Sequence, residues 1–170
     1  MGIIGRITSN LKLMLQRPPR QQFAAICYRR KKKTGELEVL VITSRDTGRW
    51  VIPKGWHMPG KQPHAIAEQE AYEEAGIKGK AGRAPFGYYS YMKRMRGGHQ
   101  VLTRVQVHAL EVKTLLKEFP EKGTRRLEWV SCEEAAIRVD EPELKALFLA
   151  FSGQAGPQSD TSGKITANVA

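Results

Sequence analysis

The chain has 170 residues, 41% of them hydrophobic and 26% charged, with a formal net charge of +11. This composition fits one ordinary globular domain with a proper core. Cys27 and Cys132, the two cysteines, are too few and too far apart for a disulfide framework or a zinc site, and no apolar run approaches the ~20 residues of a membrane span.

The N-terminal stretch MGIIGRITSNLKLMLQRPP has no continuous apolar core of a signal peptide, and Arg6 breaks the myristoylation pattern. Ile3, Ile4, Ile7, Leu11 and Met14 fall at roughly helical spacing, which predicts a surface helix. Two reduced thiols and no targeting signal make the cytoplasm the expected compartment.

QQFAAICYRR (21–30) and LEVLVITSR (37–45) are rich in strand formers and read as an antiparallel hairpin around KKKTGE. RWVIPKG (49–55) reads as a short strand ending at Pro53, and WHMPGKQP as a loop. A helix is predicted from near His64, just after Pro63, to about Ala75, with Gly76 closing it and Lys78 suiting its C-terminal end. Strands are predicted over 81–94, 100–112 and 125–131, and two helices over CEEAAIRV and EPELKALFLAFSG, the second closed by Gly153. The expected organisation is a basic, amphipathic extension over 1–20, a domain over 21–152 and a polar, mobile tail over 153–170. Strands, helix, strands and helices in this order predict an α+β sandwich.

Charge is unevenly placed. Residues 1–33 hold nine Lys/Arg and 75–110 hold seven, both without an acid, whereas 34–74 hold seven acids and four bases. Within that acidic stretch lies EQEAYEEAG, where Glu70, Glu73 and Glu74 sit at i, i+3 and i+4. On a helix they share a face and repel one another. A hard divalent cation relieves this: Mg²⁺ takes carboxylate oxygens and bridges them to substrate phosphates. A solvated acidic face is the alternative that spacing alone leaves open.

The surroundings of the cluster favour the metal. PKGWHMPGKQPHAIAEQEAYEEAGI resembles the Nudix box, a glycine, loop and helix signature. Gly55, Glu70, Glu73, Glu74, Gly76 and Ile77 match it in register. The resemblance spans most of 21–150 and implies a Nudix fold, an α/β/α sandwich with a mixed sheet. It implies a Mg²⁺- or Mn²⁺-dependent hydrolase of phosphoanhydrides in a nucleoside diphosphate linked to another moiety, or a similar diphosphate. It assigns metal binding to Glu70, Glu73, Glu74 and the Gly55 carbonyl, and action on the attacking water to Glu70 or Glu73. It also implies a further glutamate from a distant loop, for which Glu118 and Glu121 in KEFPEKG are the candidates. Three positions depart from the box: Lys61 replaces a glutamate, Gln69 an arginine and Ala71 a larger aliphatic. The missing arginine compensates the helix glutamates, so Lys61 becomes the candidate to supply that charge from the loop.

Within the family the chain is most similar to diphosphoinositol polyphosphate phosphohydrolases and dinucleoside polyphosphate hydrolases, through RWVIPKG, EEAGIKGKAGR and KGTRRLEWVSCEEAAI. A highly phosphorylated small-molecule substrate also suits the acid-free run 75–110. Lys54 and the clustered Lys93, Arg94 and Arg96 of MKRMRGGH are the candidates to bind it. ADP-ribose, a nucleoside triphosphate and the 5′ end of RNA are alternative substrates, RNA being less favoured. A non-catalytic module that binds phosphorylated ligand or RNA is the alternative of another class. The oligomeric state is left open. Trp50 and Trp129 are expected in the core, Trp56 is a candidate to stack on a base, and Tyr88, Tyr89 and Tyr91 are expected on both sides of one strand.

Overall fold

The computed structural model describes residues 18–154. The helix expected over 3–14 and the tail beyond 154 lie outside the described residues.

Eight strands form one mixed sheet: β1 (Arg20–Arg30), β2 (Leu37–Thr43), β3 (Trp50–Val51), β4 (Lys54–Trp56), β5 (Ile77–Ala81), β6 (Gly87–Arg94), β7 (Gln100–Leu115) and β8 (Leu127–Val130). Three described helices accompany it: α1 (Pro63–Ala75), α2 (Cys132–Arg138) and α3 (Pro142–Gln154). β1 and β7 run parallel at the centre, with Phe23 opposite Gln106 and Cys27 opposite Leu110. The other pairings between these strands are antiparallel, including the predicted β1–β2 hairpin, and an isolated parallel bridge joins Trp50 to Val139.

Alternation along β1 divides the core between the two faces of the sheet. Ala24 and Ile26 point to the layer of α2 and α3, where they meet Phe148, Phe151, Leu144 and Tyr89. Ala25 and Cys27 point the other way, to Ala67, Ala71 and Ala75 of α1. The result is the expected α+β sandwich. A line of alanines at i, i+4 and i+8 lets α1 lie close to the sheet, and it accounts for Ala71, which is fully buried. The two cysteines are buried free thiols on opposite sides of the sheet. Burial pushes the Cys132 thiol up to about 11 and Cys27 higher still.

α1 begins at Pro63, whose missing N–H costs nothing in a first turn. It ends at Gly76, which adopts φ +66° and donates its N–H to Ala71 and Tyr72 carbonyls. The phenyl ring of Phe119 packs over Gly76, leaving no room for a side chain.

Several boundaries differ from those read in the sequence. Ile77–Ala81 is a strand paired with β7, so Lys78 lies in β5 rather than at a helix end. The strand predicted from 81 begins at Gly87, because His108 and the Gly82–Ala109 pairing hold 82–86 as a connecting turn. Pro53, which has no N–H to donate, divides β3 from β4. Gly153 lies within α3, which runs on to Gln154. No described helix is long and apolar enough to cross a membrane.

Candidate functional site

α1 sets its acidic face against β4 and the loop that follows β7. Glu70 and Glu74 are buried, Glu73 is half-buried, and the helix itself carries no Lys or Arg. The Glu70 carboxylate lies against the backbone of Gly55, where an added Cβ would be 1.9 Å from Oε1. Glu74 Oε2 accepts the Lys54 backbone N–H at 3.2 Å. Gln69 Nε2 donates to Glu73 Oε1 at 2.6 Å.

The loop after β7 docks on the end of α1 through its backbone: Leu116 N–H donates to Gly76 O at 2.8 Å and Glu121 N–H to Glu73 O at 3.0 Å. This places the Glu121 carboxylate beside the helix, with Arg45 at 3.1 Å on one oxygen and Arg125 at 3.0 Å on the other. Glu118 is directed away, 84% exposed and paired with Lys122. Of the two distal candidates, the fold therefore brings Glu121 to the cluster.

Burial, then repulsion from Glu74, Glu73 and Glu121, raises the Glu70 carboxyl to about 7. Burial raises Glu74 as well, opposed by Lys54 and Arg125. The Lys54 ammonium is desolvated and falls to about 8, with Glu74 pulling it the other way. Among the described residues no three His, Cys, Asp or Glu side chains form a ready metal cage. Glu73 is engaged by Gln69, and Glu74 by Arg125 and Lys54. The donor set is nonetheless of the oxygen-only kind that a hard divalent cation takes, and its mutual repulsion favours one.

Lys61 does not supply the missing charge. It is exposed on the loop, where its N–H closes a turn on the Met58 carbonyl. Two other cations serve the cluster: Lys54, whose charge opposes those of Glu74 and Glu70, and Arg125, hydrogen-bonded to Glu74, which lies in the KGTRRLEWVSCEEAAI stretch without having been singled out there.

Lys54 also lines a cleft of about 1190 Å³ with Arg45, Arg49, Lys93, Arg94 and Arg96. Lys93 and Arg94 are the end of β6, within the strand predicted to Arg94, and Arg96 is in the turn that follows. Trp56 and Tyr91 line the same cleft. Arg20 stands over the Trp56 ring at 4.4 Å and Lys93 at 5.7 Å. Tyr91 donates to Gln22 Oε1 at 2.7 Å, while Tyr89 is buried and Tyr88 exposed, as alternation requires. Trp50 and Trp129 are only half-buried at the core margin, each capped by arginines. Arg49 and Glu141 form an ion pair at the cleft wall that sequence reasoning did not single out. Of the histidines, His99 lines the cleft and His57 is exposed. His108 is buried, bonded to the Gly82 carbonyl and Gln106.

Residues 18–151 match the model of the NUDIX domain. The chain belongs to the Nudix family. This Nudix chain is 32% identical over 118 residues to human diphosphoinositol polyphosphate phosphohydrolase 3-beta, covering 68% of this chain and 66% of that protein. To the mouse diphosphoinositol polyphosphate phosphohydrolase 2 it is 31% identical, covering 68% and 60%. It thus spans somewhat less than two thirds of the length of these curated relatives. Among solved structures, the Nudix fold is shared with the Ap4A hydrolase of C. elegans (TM-score 0.57, 20% identity, 81% of this chain and 98% of that one). It is shared also with a Nudix hydrolase from Nitrosomonas europaea (TM-score 0.61, 15% identity, 81% and 91%).

Proposed function

We propose that this Nudix chain is a divalent-metal-dependent hydrolase of a diphosphate linkage in a highly phosphorylated small molecule, a dinucleoside polyphosphate or a diphosphoinositol polyphosphate. The observation that carries this reading is the junction at Lys54. Its backbone N–H holds Glu74 of the acidic face, and the residue also lines the basic cleft. A site for cations thus adjoins a site for polyanions. The substrates for which the human relative and the C. elegans hydrolase are named support the same class.

Glu70, Glu73, Glu74 and the Gly55 carbonyl would hold Mg²⁺ or Mn²⁺, which supplies Lewis-acid polarisation of a phosphoryl oxygen. Lys54, Lys93, Arg94 and Arg96 bind and orient the phosphates by charge-assisted hydrogen bonds. Glu70 or Glu73 receives the proton of the water that attacks phosphorus in line with the departing phosphate oxygen. Glu121 stands close enough to the face to contribute a further carboxylate. Positioning and charge stabilisation carry most of such a reaction.

The test is turnover of diadenosine polyphosphates, diphosphoinositol polyphosphates, ADP-ribose and nucleoside triphosphates with Mg²⁺ and with Mn²⁺. One of the first two classes should be the best substrate, and Glu73→Gln and Glu74→Gln should each lower its turnover by about 10²–10³. Turnover of none of them, or turnover indifferent to both variants, would overturn the reading. Salt-sensitive RNA affinity without any product would put a binding module in its place.

A further inference from the structure

We infer that Arg125 is the built-in counter-charge of the acidic helix face, a positioning residue that holds Glu74 and Glu121 together across the fold. α1 brings acids at Glu68, Glu70, Glu73 and Glu74 and no Lys or Arg of its own. Position 69, one residue before the face, is a neutral glutamine that reaches only Glu73.

Lys54 contributes charge from β4, and Arg125 adds the hydrogen-bonded counter-charge at Glu74 from 51 residues away. Its Nη2 donates to Glu74 Oε1 at 2.7 Å and to Glu121 Oε2 at 3.0 Å. Nε donates to the same Glu121 oxygen at 3.1 Å, and Nη1 to the Thr43 carbonyl at 3.0 Å. Each nitrogen of the guanidinium therefore has an acceptor. The side chain is 6% exposed and Glu74 9%, so solvent screens the pair little. An ammonium could match the charge but not this planar fork.

Two structural relations make this more than a buried ion pair. Arg125 clamps α1 to the loop carrying Glu121, whose backbone already docks on Glu73. It also anchors that loop to the end of β2 through Thr43. One guanidinium thus sets the distance between the helix carboxylates and the distal one. An arginine at position 69 could balance the charge only from the helix side, next to Glu73.

The inference is tested by a cycle of four proteins: wild type, Arg125→Gln, Gln69→Arg and the double variant, melted in EDTA. Arg125→Gln should lower the metal-free melting temperature by roughly 10 °C. Gln69→Arg should change the wild type little, yet recover at least a third of the loss in the double variant. A double variant that melts no higher than Arg125→Gln would overturn the inference, since a role confined to packing gains nothing from a cation on the helix. Should Arg125→Gln fail to fold alone, a double variant that folds supports the inference and a double variant that also fails to fold overturns it. The metal arm rests on the proposed function: Mg²⁺ should raise the melting temperature of Arg125→Gln more than that of wild type, because the carboxylates have lost their competing partner. If Mg²⁺ raises none of the four, the metal reading fails, and the metal-free cycle still decides the role of Arg125.

Discussion

The Glu70 carboxylate occupies the space that a side chain at position 55 would need: a Cβ there would stand 1.9 Å from Oε1 and 2.1 Å from Cδ. Any side chain at 55 must therefore push that carboxylate, the far end of a flexible side chain, out of its place. Gly55→Ala should displace the carboxylate at a cost under about 1 kcal/mol in stability and lower turnover by about a hundredfold. Steady-state kinetics check the turnover and thermal melts the fold; unchanged turnover would contradict the contact.

The raised Glu70 carboxyl makes the metal-free protein sensitive to pH. The unfolded chain loses this proton near 4.5, whereas the native state keeps it to about 7. Native protein thus binds more protons across that window, and stability falls as pH rises from about 4.5 to 7, then levels. The full effect is roughly 3 kcal/mol at most. Glu70→Gln should remove most of the slope and make the metal-free protein the more stable form at pH 8. Urea unfolding in EDTA across this range measures it. A residual slope of the same sign is expected from Glu74, whose carboxyl is raised too.

Arg49 is the partner of a carboxylate that is otherwise stranded. Glu141 is 6% exposed, and its Oε2 has no hydrogen-bond partner among the described residues. Arg49→Ala should cost about 3 kcal/mol, because it leaves a buried charge unpaired. Adding Glu141→Gln should recover part of that loss. Denaturant unfolding of the three proteins reads the coupling directly.

Lys93 and Arg94 end β6 on the cleft wall, apart from the carboxylate face. Reversing both to glutamate should raise KM for a polyphosphate substrate about tenfold or more at low salt while kcat changes less than threefold. The difference should shrink as salt rises. Kinetics at two ionic strengths distinguish this from a loss of catalytic groups, which would lower kcat.

Much of the architecture was legible because its causes are local. Runs of strand-forming residues announced β1 and β2, alternation announced β6 and β7, and Pro63 and Gly76 marked the ends of α1. β5 escaped notice: IKGKA is short, with two lysines and a glycine, and becomes a strand only by pairing with the far end of β7. Trp50 and Trp129 looked like core residues by size, yet lie at its margin because cations cover their outer faces.

By itself, the sequence determined the acidic face. Glu70, Glu73 and Glu74 must share one side of a helix, since 3.6 residues per turn brings i, i+3 and i+4 together wherever that helix lies. Which cation pairs with Glu74 was decided only by the tertiary structure. Lys61 was nearer in the chain, but its loop turns it to solvent, while the loop carrying Glu121 brings Arg125 onto Glu74. Helical period is a property of neighbours along the chain. A pairing across 51 residues has no period and exists only once β2, α1 and the loop after β7 have packed together.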